Sequence, residues 1–243
     1  MKKVIKNLIR NSAIRLNLPI TKNIKYDILT LKLMKKVLKR NSNCIDIGGF
    51  KGEIMDEILK HSPEGKHFIF EPIPEFFKFI KEKFAVKPNI TVINKALSDA
   101  EGTANFNVVS NYPAYSGLKI RDYPSKDANT CQIEVLTDKL DNIIPQNIKI
   151  DFIKIDVEGA EYLVLKGGKM ILKQSKPIVI FEYGLGASEY YGTEPEMIFN
   201  FLTRELNYSI FLIEDYLNNK PSLKKEDFAK QYHKKINYYF VAV

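Results

Sequence analysis

A short apolar run that ends in a glycine turn and passes into a helical pattern constrains the fold of this chain most. The run is CIDIG (44–48), and glycines recur in the turn at Gly48, Gly49 and Gly52 before a predicted helix over 53–61. Strands that turn on glycines into helices are typical of open parallel sheets that bind nucleotides at the first turn. The stretch therefore predicts a nucleotide-binding turn, whose glycine spacing bears on the choice of ligand.

Strand-like and helix-like segments alternate along most of the chain. The predicted strands are 44–48, 67–71, 90–97, 151–156, 177–184, 208–214 and 236–243, and the predicted helices are 27–40, 53–61, 75–84, 159–173 and 195–206. This alternation predicts a parallel sheet with helices on both faces. The last two strands follow each other without a full intervening helix, so we expect the last one to run antiparallel. The predicted fold is therefore α/β, with a doubly wound, mostly parallel sheet of seven strands and the last strand antiparallel.

Residues 100–137 interrupt the alternation after the third strand. The stretches GTANFNVV and CQIEVLT look like exposed strands, and the segment between them is rich in turn-forming residues and tyrosine. Insertions of this length are usually functional or disordered. We predict a β-rich insertion, in which residues 110–124 either close over a substrate or only anchor the loop.

Positive charge is concentrated at the start of the chain. Of the 243 residues, which carry a net charge of +8, residues 1–40 hold twelve Lys or Arg and one acid, whereas the remaining residues hold 25 bases and 28 acids. We divide the chain into a basic helical arm (1–40) and one domain (41–243) that contains the insertion. Helical spacing of Val4, Ile5, Leu8 and Ile9 favours a solvated amphipathic face. Contact with anionic lipid or with an acidic partner is the alternative. The domain offers no second basic surface or motif that would predict a nucleic-acid partner.

Cysteine content and hydropathy indicate the compartment. The two cysteines, Cys44 and Cys131, cannot build a disulfide framework or a zinc cluster of thiolates. No apolar stretch is long enough to span a membrane, and Lys6, Arg10 and Arg15 interrupt the apolar residues that a signal peptide would need. These features predict a cytoplasmic protein, with peripheral membrane contact as the alternative.

The glycine spacing separates two cofactor classes. Dinucleotide-binding enzymes use G-x-G-x-x-G, whereas this turn reads G-G-x-x-G and is better described as D-x-G-x-x-x-G, starting at Asp46. In that pattern Asp46 supplies a carboxylate for the ammonium group of S-adenosylmethionine, and Gly48 and Gly49 allow a close backbone approach. The second strand ends in Glu71, where an acid accepts hydrogen bonds from ribose hydroxyls in either class.

Several further motifs carry a family resemblance. The stretches ALSDAEGTANFNV (96–108), TDKLDN (137–142) and IDFIKIDVEGAEYLVLKGG (150–168) follow IDIGGFKGE and FIFEPIPE in order. Together, from Cys44 to Tyr183, they closely resemble the FkbM-type methyltransferase family. The resemblance implies a class I S-adenosylmethionine-dependent methyltransferase that acts on oxygen, commonly in sugars, surface polysaccharides or secondary metabolites. One departure is Gly49-Phe50, because the family often has Ala-Asn at this point.

The resemblance also implies which residues bind the cofactor. The glycine turn and Asp46 would line the methionine end, the second strand would hold the ribose, and the residues after the third strand would lie beside the adenine. The predicted cofactor-binding residues are Asp46, Gly48, Gly49, Phe50, Gly52, Glu71, Pro72, Asn94, Ala96 and Leu97.

Methyl transfer to a hydroxyl needs a base or a metal beside the acceptor. Ligands bind beyond the carboxyl ends of parallel strands, and the acids at those ends are Asp156, Glu158 and Glu182. We predict Asp156 as the catalytic base, with Glu158 and Glu182 as helpers or as ligands of a divalent cation such as Mg²⁺. Lys154 points to the same side as Asp156 and could pair with a carboxylate there.

The insertion supplies the predicted acceptor contacts. Tyr115, Ser116 and Arg121 are the candidates, because aromatic rings pack on sugar faces and arginine holds carboxylates or phosphates. The alternative is that these residues only anchor the loop. His61, His67 and His233 belong to no motif, and we expect them to be ordinary surface or core residues.

Two other functions compete with an O-methyltransferase. A nicotinamide-dependent oxidoreductase is disfavoured by the glycine spacing and by the antiparallel last strand. A non-catalytic module that binds a membrane or partner through the basic arm is favoured by Phe50, and the retained acids Asp46, Glu71, Asp156 and Glu182 argue against it.

Overall fold

A computed structural model describes residues 10, 12–123 and 125–243 of the chain. Ten strands are present in this part: β1 (Cys44–Ile47), β2 (His67–Phe70), β3 (Ile90–Ile93), β4 (Ala96–Leu97), β5 (Gly102–Val109), β6 (Thr130–Asp138), β7 (Phe152–Ile155), β8 (Ile178–Glu182), β9 (Ile210–Leu212) and β10 (Tyr239–Ala242). The α-helices are α1 (Lys22–Val37), α2 (Glu53–His61), α3 (Pro74–Lys83), α4 (Leu140–Ile143), α5 (Glu161–Gly167), α6 (Lys169–Ser175), α7 (Pro195–Asn200), α8 (Ile213–Leu217) and α9 (Lys225–His233). Short 3₁₀ turns cover Pro113–Tyr115 and Ser188–Tyr191.

Seven of the strands form the main sheet, in the order β3-β2-β1-β7-β8-β10-β9. Only β10 runs antiparallel to its neighbours in this sheet, pairing Tyr239 with Glu182 on β8 and Phe240 with Leu212 on β9. The predicted doubly wound, mostly parallel sheet with its last strand antiparallel is confirmed. The reason given for the antiparallel strand was wrong, because α8 and α9 lie between β9 and β10.

The central strands are buried on both faces, which explains why they appear in the sequence as continuous apolar runs. Every residue of β1, β2 and β7 is buried. Two of these buried residues are charged, Asp46 on β1 and Lys154 on β7, and they are paired in register across the two strands. Charges at such positions are costly unless they are partnered, so they indicate a functional role.

Several predicted elements differ in extent from the observed ones: the first helix covers 22–37 and not 27–40, and the last two strands are shorter than predicted, with residues 213–214 in α8. Three other elements differ in how the predicted segment is divided. The third strand ends at Ile93, and residues 96–97 form β4 in a separate sheet, because the Asn94 amide donates to the carbonyl oxygens of Glu71 (2.8 Å) and Pro72 (3.0 Å). The helix predicted over 159–173 is divided into α5 and α6 at the glycine pair. A Cβ on Gly167 would lie 2.0 Å from the carbonyl oxygen of Ser98, so these two segments of the backbone lie too close together for any residue but glycine. Residues 201–205 continue α7 as a single π turn.

The insertion forms a second sheet of three strands, in the order β4-β6-β5. Strands β5 and β6 pair antiparallel from Gly102 opposite Thr137 to Val109 opposite Thr130. Ile73, Ala96, Phe106 and Val135 form a small core beneath this hairpin. The predicted β-rich insertion after the third strand is confirmed.

The helix α1 lies within the segment predicted as a basic arm and packs on the main sheet. Thr21 caps it, because its hydroxyl accepts a hydrogen bond from the amide of Ile24 (3.2 Å). Leu33 and Met34 are fully buried in the same cluster as Met55 of α2. Val4, Ile5, Leu8 and Ile9 lie outside the described residues. No helix in the described part of the chain is long and apolar enough to cross a membrane.

Candidate active site

The glycine turn after β1 is held tightly between the ends of two neighbouring strands. Gly48 has a φ of 84°, and a Cβ on it would lie 1.9 Å from the carbonyl oxygen of Asp156, just beyond β7. A Cβ on Gly49 would lie 2.3 Å from the side chain of Ile69 on β2. Neither position accepts a side chain, so the turn presents bare backbone to the carboxyl edge of the sheet, as close approach to a ligand requires.

Asp46 lies beneath this turn and is fully buried. Neither oxygen of its carboxylate has a hydrogen-bond partner among the described residues. Burial raises the pKa of Asp46 to about 6, although the nearby Lys154 ammonium lowers it. A buried carboxylate without donors is unfavourable. The carboxylate is therefore free to accept hydrogen bonds from a ligand, and the predicted contact of Asp46 with an ammonium group stays a prediction.

Glu71 connects the glycine turn to the end of β2. Its carboxylate accepts hydrogen bonds from the amides of Phe50 (2.8 Å) and Ile73 (2.9 Å). Burial raises the pKa of Glu71 to about 7, whereas these two hydrogen bonds lower it. Because each carboxylate oxygen accepts more than one hydrogen bond, the same group retains capacity for ribose hydroxyls.

The backbone of Phe50 makes a polar contact at the position where the family often has asparagine. Its φ of 47° is in the left-handed region that favours glycine or asparagine. Its amide keeps the turn in place by binding Glu71. Its ring is 39% exposed and lies edge-on to Phe76, with ring centroids 4.6 Å apart. The backbone of Phe50 therefore supplies the polar contact, and its side chain adds an aromatic surface to the rim of the turn.

The residues predicted to lie beside the adenine, Asn94, Ala96 and Leu97, come just after β3. Asn94 closes the turn after β2 through its bonds to the backbone of Glu71 and Pro72. Ala96 and Leu97 are buried in β4 and contribute to two different apolar clusters. The structure brings Asn94 to Glu71, and the contacts of these residues with a cofactor stay predictions.

The three predicted catalytic acids form one cluster beyond β7 and β8. One carboxylate oxygen from each of Asp156, Glu158 and Glu182 lies within 4.8 Å of the other two. Asp156 Oδ2 accepts hydrogen bonds from Lys154 Nζ (2.9 Å) and from the Tyr239 hydroxyl (2.7 Å). The structure thus confirms the pairing of Lys154 with a carboxylate and adds Tyr239 as a second donor.

Three partly buried carboxylates this close together disfavour one another's ionisation. Burial, followed by the charge of Asp156, raises the pKa of Glu182 well above its usual range and raises that of Glu158 to about 8. Burial also opposes ionisation of Asp156, but Lys154 and Tyr239 outweigh it and lower its pKa. The charge of the cluster is therefore favoured on Asp156, whose pKa is lowered, over Glu158 and Glu182, whose pKa values are raised.

The insertion covers this cluster through Arg121. Arg121 Nη2 lies 2.7 Å from Glu158 Oε2, and both side chains are largely buried. The guanidinium also stacks over the ring of Tyr115 (4.5 Å to the ring centroid) and donates to the carbonyl oxygen of Gly186 (3.3 Å). Of the three predicted acceptor-binding residues, Arg121 thus reaches the acid cluster, and Tyr115 stacks on Arg121.

Other contacts anchor the insertion. The Ser116 hydroxyl is buried and accepts a hydrogen bond from the amide of Val109 (3.0 Å), so it faces the hairpin. The hydroxyls of Tyr191 and Tyr190 accept hydrogen bonds from the amides of Lys119 (3.2 Å) and Asp122 (3.1 Å). The insertion therefore both anchors itself and covers the acids, and binding of an acceptor by its residues stays a prediction.

Comparison with known proteins identifies the family. Residues 46–210 match the family model described as the Methyltransferase FkbM domain, which spans the glycine turn, the insertion and the acid cluster. The chain belongs to the FkbM methyltransferase family. No curated protein matches its sequence.

One solved structure shows the same fold at low sequence identity, and others are similar to parts of the chain. Methyltransferase FkbM from Methylobacillus flagellatus KT is 13% identical, with a TM-score of 0.52, over 100% of this chain and 60% of that one. This FkbM-family chain thus spans 60% of that protein's length. SMU.1697c from Streptococcus mutans, solved in complex with SAH, is 13% identical over 92% of this chain and 97% of that one (TM-score 0.49). Precorrin-6y C5,15-methyltransferase from Geobacter metallireducens GS-15 is 14% identical over 76% and 73% (TM-score 0.44).

Tyr239 is the residue of this FkbM-family site that sequence reasoning missed. It begins β10 opposite Glu182, and its position beside Asp156 depends on the antiparallel register of the last strand. A pair of tyrosines at the start of a predicted strand was the only signal in the sequence. His67 is a core residue, as expected. It is buried, and its Nε2 contacts the carbonyl oxygen of Ser62 (2.7 Å), away from these acids.

Replacing Tyr239 with phenylalanine removes one hydrogen bond to the Asp156 carboxylate. Since that bond lowers the pKa of Asp156, we expect the acid limb of the pH profile of kcat/KM to move upward by about one unit. Tyr238→Phe is the matched control, because the Tyr238 hydroxyl binds Asn23 instead. If Tyr239→Phe keeps the native melting temperature and the acid limb does not move, Tyr239 does not influence the ionisation that limits turnover.

Proposed function

We propose that this chain is an S-adenosylmethionine-dependent O-methyltransferase that acts on a hydroxyl of a sugar, a polysaccharide precursor or a secondary metabolite. The observation that carries the proposal is Asp46, a fully buried carboxylate with no hydrogen-bond partner among the described residues, beneath a glycine turn without room for side chains. Membership in the FkbM methyltransferase family supports methyl transfer. Oxygen as the acceptor atom is supported by the cluster of partly buried acids at the same edge of the sheet.

The residues around the glycine turn fit this cofactor. Bound S-adenosylmethionine supplies a methyl carbon that is electrophilic because it is attached to a positively charged sulfur. Asp46 would accept hydrogen bonds from the ammonium group, and the backbone of Gly48 and Gly49 would approach the aminoacyl chain. Glu71 would accept hydrogen bonds from the ribose hydroxyls. Its carboxylate is already held in one orientation by the two hydrogen bonds that it accepts from backbone amides.

The acid cluster would activate the acceptor hydroxyl. Lys154 and Tyr239 lower the pKa of Asp156 and hold its carboxylate in one orientation, so it would take the hydroxyl proton as the acceptor oxygen attacks. Arg121 with Tyr115 covers the cluster and would exclude water from it. In this arrangement the chain contributes orientation and proton transfer, which together supply much of the rate of a displacement reaction.

A divalent cation is the alternative way to use the same acids. Their oxygens lie close enough together to act as ligands, and Mg²⁺ prefers carboxylates. However, Lys154 and Arg121 already pair with Asp156 and Glu158, which favours proton transfer over metal binding. Treatment with EDTA would leave turnover unchanged if Asp156 is the base, whereas loss of turnover that Mg²⁺ restores would assign the cluster to a metal.

The ribose contact gives a direct test. We expect Glu71→Ala to weaken binding of S-adenosylhomocysteine by more than about tenfold, because hydrogen bonds to a charged group contribute about 1.5–3 kcal/mol. Isothermal calorimetry measures the affinity, and Glu75→Ala, at an exposed position in the first turn of α3, is the control. Native affinity in a folded Glu71→Ala protein would contradict the assignment of Glu71.

A further inference from the structure

The segment before α1 is folded into a defined turn. A helical turn over 12–15 ends where the amide of Leu18 donates to the carbonyl oxygen of Ala13 (2.8 Å) and that of Asn17 to Ile14 (3.0 Å). Asn17 has a φ of 56°, which completes a Schellman motif. This motif fixes the direction in which the following side chains project.

Packing of this segment uses only part of its apolar surface. Ala13 is buried against Ile24 and Ile28 of α1. Ile14 is partly buried on the same cluster. The three large apolar residues that follow it face solvent, with exposed fractions of 67% for Leu16, 50% for Leu18 and 59% for Ile20. Three such side chains within five residues stay exposed beside the rest of the described chain, and exposed apolar groups of this kind mark interaction sites.

A second loop extends this surface. Lys22 Nζ donates to the carbonyl oxygen of Lys235 (3.0 Å), which brings the loop before β10 beside the start of α1. Ile236 in that loop is 47% exposed. We call the surface formed by Leu16, Leu18, Ile20 and Ile236 the apolar ridge.

Positive charge surrounds the apolar ridge. Arg15, Lys22, Lys234 and Lys235 are all exposed. The stretches 12–26 and 228–238 contain no Asp or Glu, and residues 1–40 as a whole carry twelve Lys or Arg against one acid. The nearest acid in sequence, Asp27, is bound by Arg10 Nε (2.9 Å). Glu214 of α8 also reaches this end of α1, where Lys25 pairs with it (2.6 Å). The surface therefore combines exposed apolar side chains with a rim in which basic residues outnumber acids.

We propose that the apolar ridge docks on the surface of an anionic lipid bilayer. The apolar side chains would enter the boundary between headgroups and acyl chains, and the basic rim would pair with lipid phosphates. Charge complementarity favours this partner. A mainly basic surface is attracted to the anionic headgroups, and its exposed aliphatic side chains can enter the apolar interior of the bilayer.

Docking would place the acid cluster near the membrane surface. Tyr26 of α1 stacks on Tyr239 (ring centroids 5.1 Å apart), whose hydroxyl binds Asp156. The Tyr26 hydroxyl also donates to Asn237 in the loop that carries Ile236 (2.7 Å). The ridge and the acid cluster are therefore joined through α1 and β10. Membrane docking does not depend on the proposed methyl transfer and is tested without it.

Co-sedimentation of the full chain with vesicles tests the proposal. We expect binding to vesicles of phosphatidylcholine mixed with phosphatidylglycerol, weakening as salt is raised, and no binding to phosphatidylcholine alone. The triple variant Leu16→Ser, Leu18→Ser, Ile20→Ser should bind at least about tenfold more weakly because it loses the buried apolar contact. Val86→Ser with Met170→Ser, which removes exposed apolar side chains elsewhere (84% and 52% exposed), should bind as the wild type.

Three results would overturn the proposal, and melting temperatures show that each variant is folded. If the protein binds neither kind of vesicle, the apolar ridge does not dock on lipid. Equal binding to both vesicles would remove the electrostatic component. Wild-type binding by the triple variant would show that the ridge does not make the contact.

Discussion

Asp156→Asn is expected to lower the rate of methyl transfer by roughly 10²- to 10⁴-fold, the usual contribution of a positioned general base. Asparagine keeps an oxygen for Lys154 and Tyr239 but cannot take a proton from the acceptor. The measurement is turnover with methyl-labelled S-adenosylmethionine and the best acceptor from a panel of sugars. Affinity for S-adenosylhomocysteine should stay within about twofold of the wild type, because the glycine turn is unaltered.

The Asp156→Asn protein should still fold because Glu182 can replace the lost charge. Burial and then the charge of Asp156 raise the pKa of Glu182, so removal of that charge lowers this pKa and favours the ionised Glu182 beside the Lys154 ammonium. Asp215→Asn, which removes a carboxylate on α8 that pairs with Lys220, is the control. Wild-type turnover in Asp156→Asn would exclude Asp156 as the base.

Gly48→Ala is expected to lower affinity for S-adenosylhomocysteine by about a hundredfold or more and to destabilise the fold. The new Cβ would lie 1.9 Å from the carbonyl oxygen of Asp156, so the turn or the end of β7 must move. Such movement misaligns the backbone and Asp46 beneath it, and loss of one or two hydrogen bonds to charged groups accounts for this change in affinity. Calorimetry measures the affinity, and thermal unfolding measures the stability.

Gly192→Ala separates strain from steric conflict. Gly192 has a φ of 65° but no atom within 4 Å of its added Cβ, so its substitution costs only the left-handed backbone, about 1 kcal/mol. Gly48→Ala should cost about 1–3 kcal/mol more than this control, as overpacking does. Equal effects of the two substitutions on stability, with native affinity in both, would show that Gly48 does not need its close approach.

The central fold could be predicted because its strands are buried on both faces. β1, β2 and β7 appear as short apolar runs, and the glycines mark the turn that follows β1. The helix α9 was missed even though Phe228 and Tyr232, four residues apart, form its buried face. Its charged residues hid the pattern, since the buried face of this short helix holds only these two side chains.

The site was predictable where a motif places residues at strand ends and not where register brings them together. Asp46 and Asp156 follow from their positions in and after buried strands. Tyr239 reaches Asp156 only because β10 runs antiparallel beside β8, and Arg121 reaches Glu158 only because the insertion folds back over the sheet. Both contacts join residues far apart in sequence, and local pattern carries no information about them.

Titration calorimetry of the unmodified chain with S-adenosylhomocysteine and with NAD tests the central claim most directly. The buried Asp46 carboxylate and the G-G-x-x-G turn predict that S-adenosylhomocysteine binds and that NAD does not. Binding of NAD alone would contradict the methyltransferase assignment of the site and restore an oxidoreductase, and binding of neither would favour a non-catalytic module on this fold.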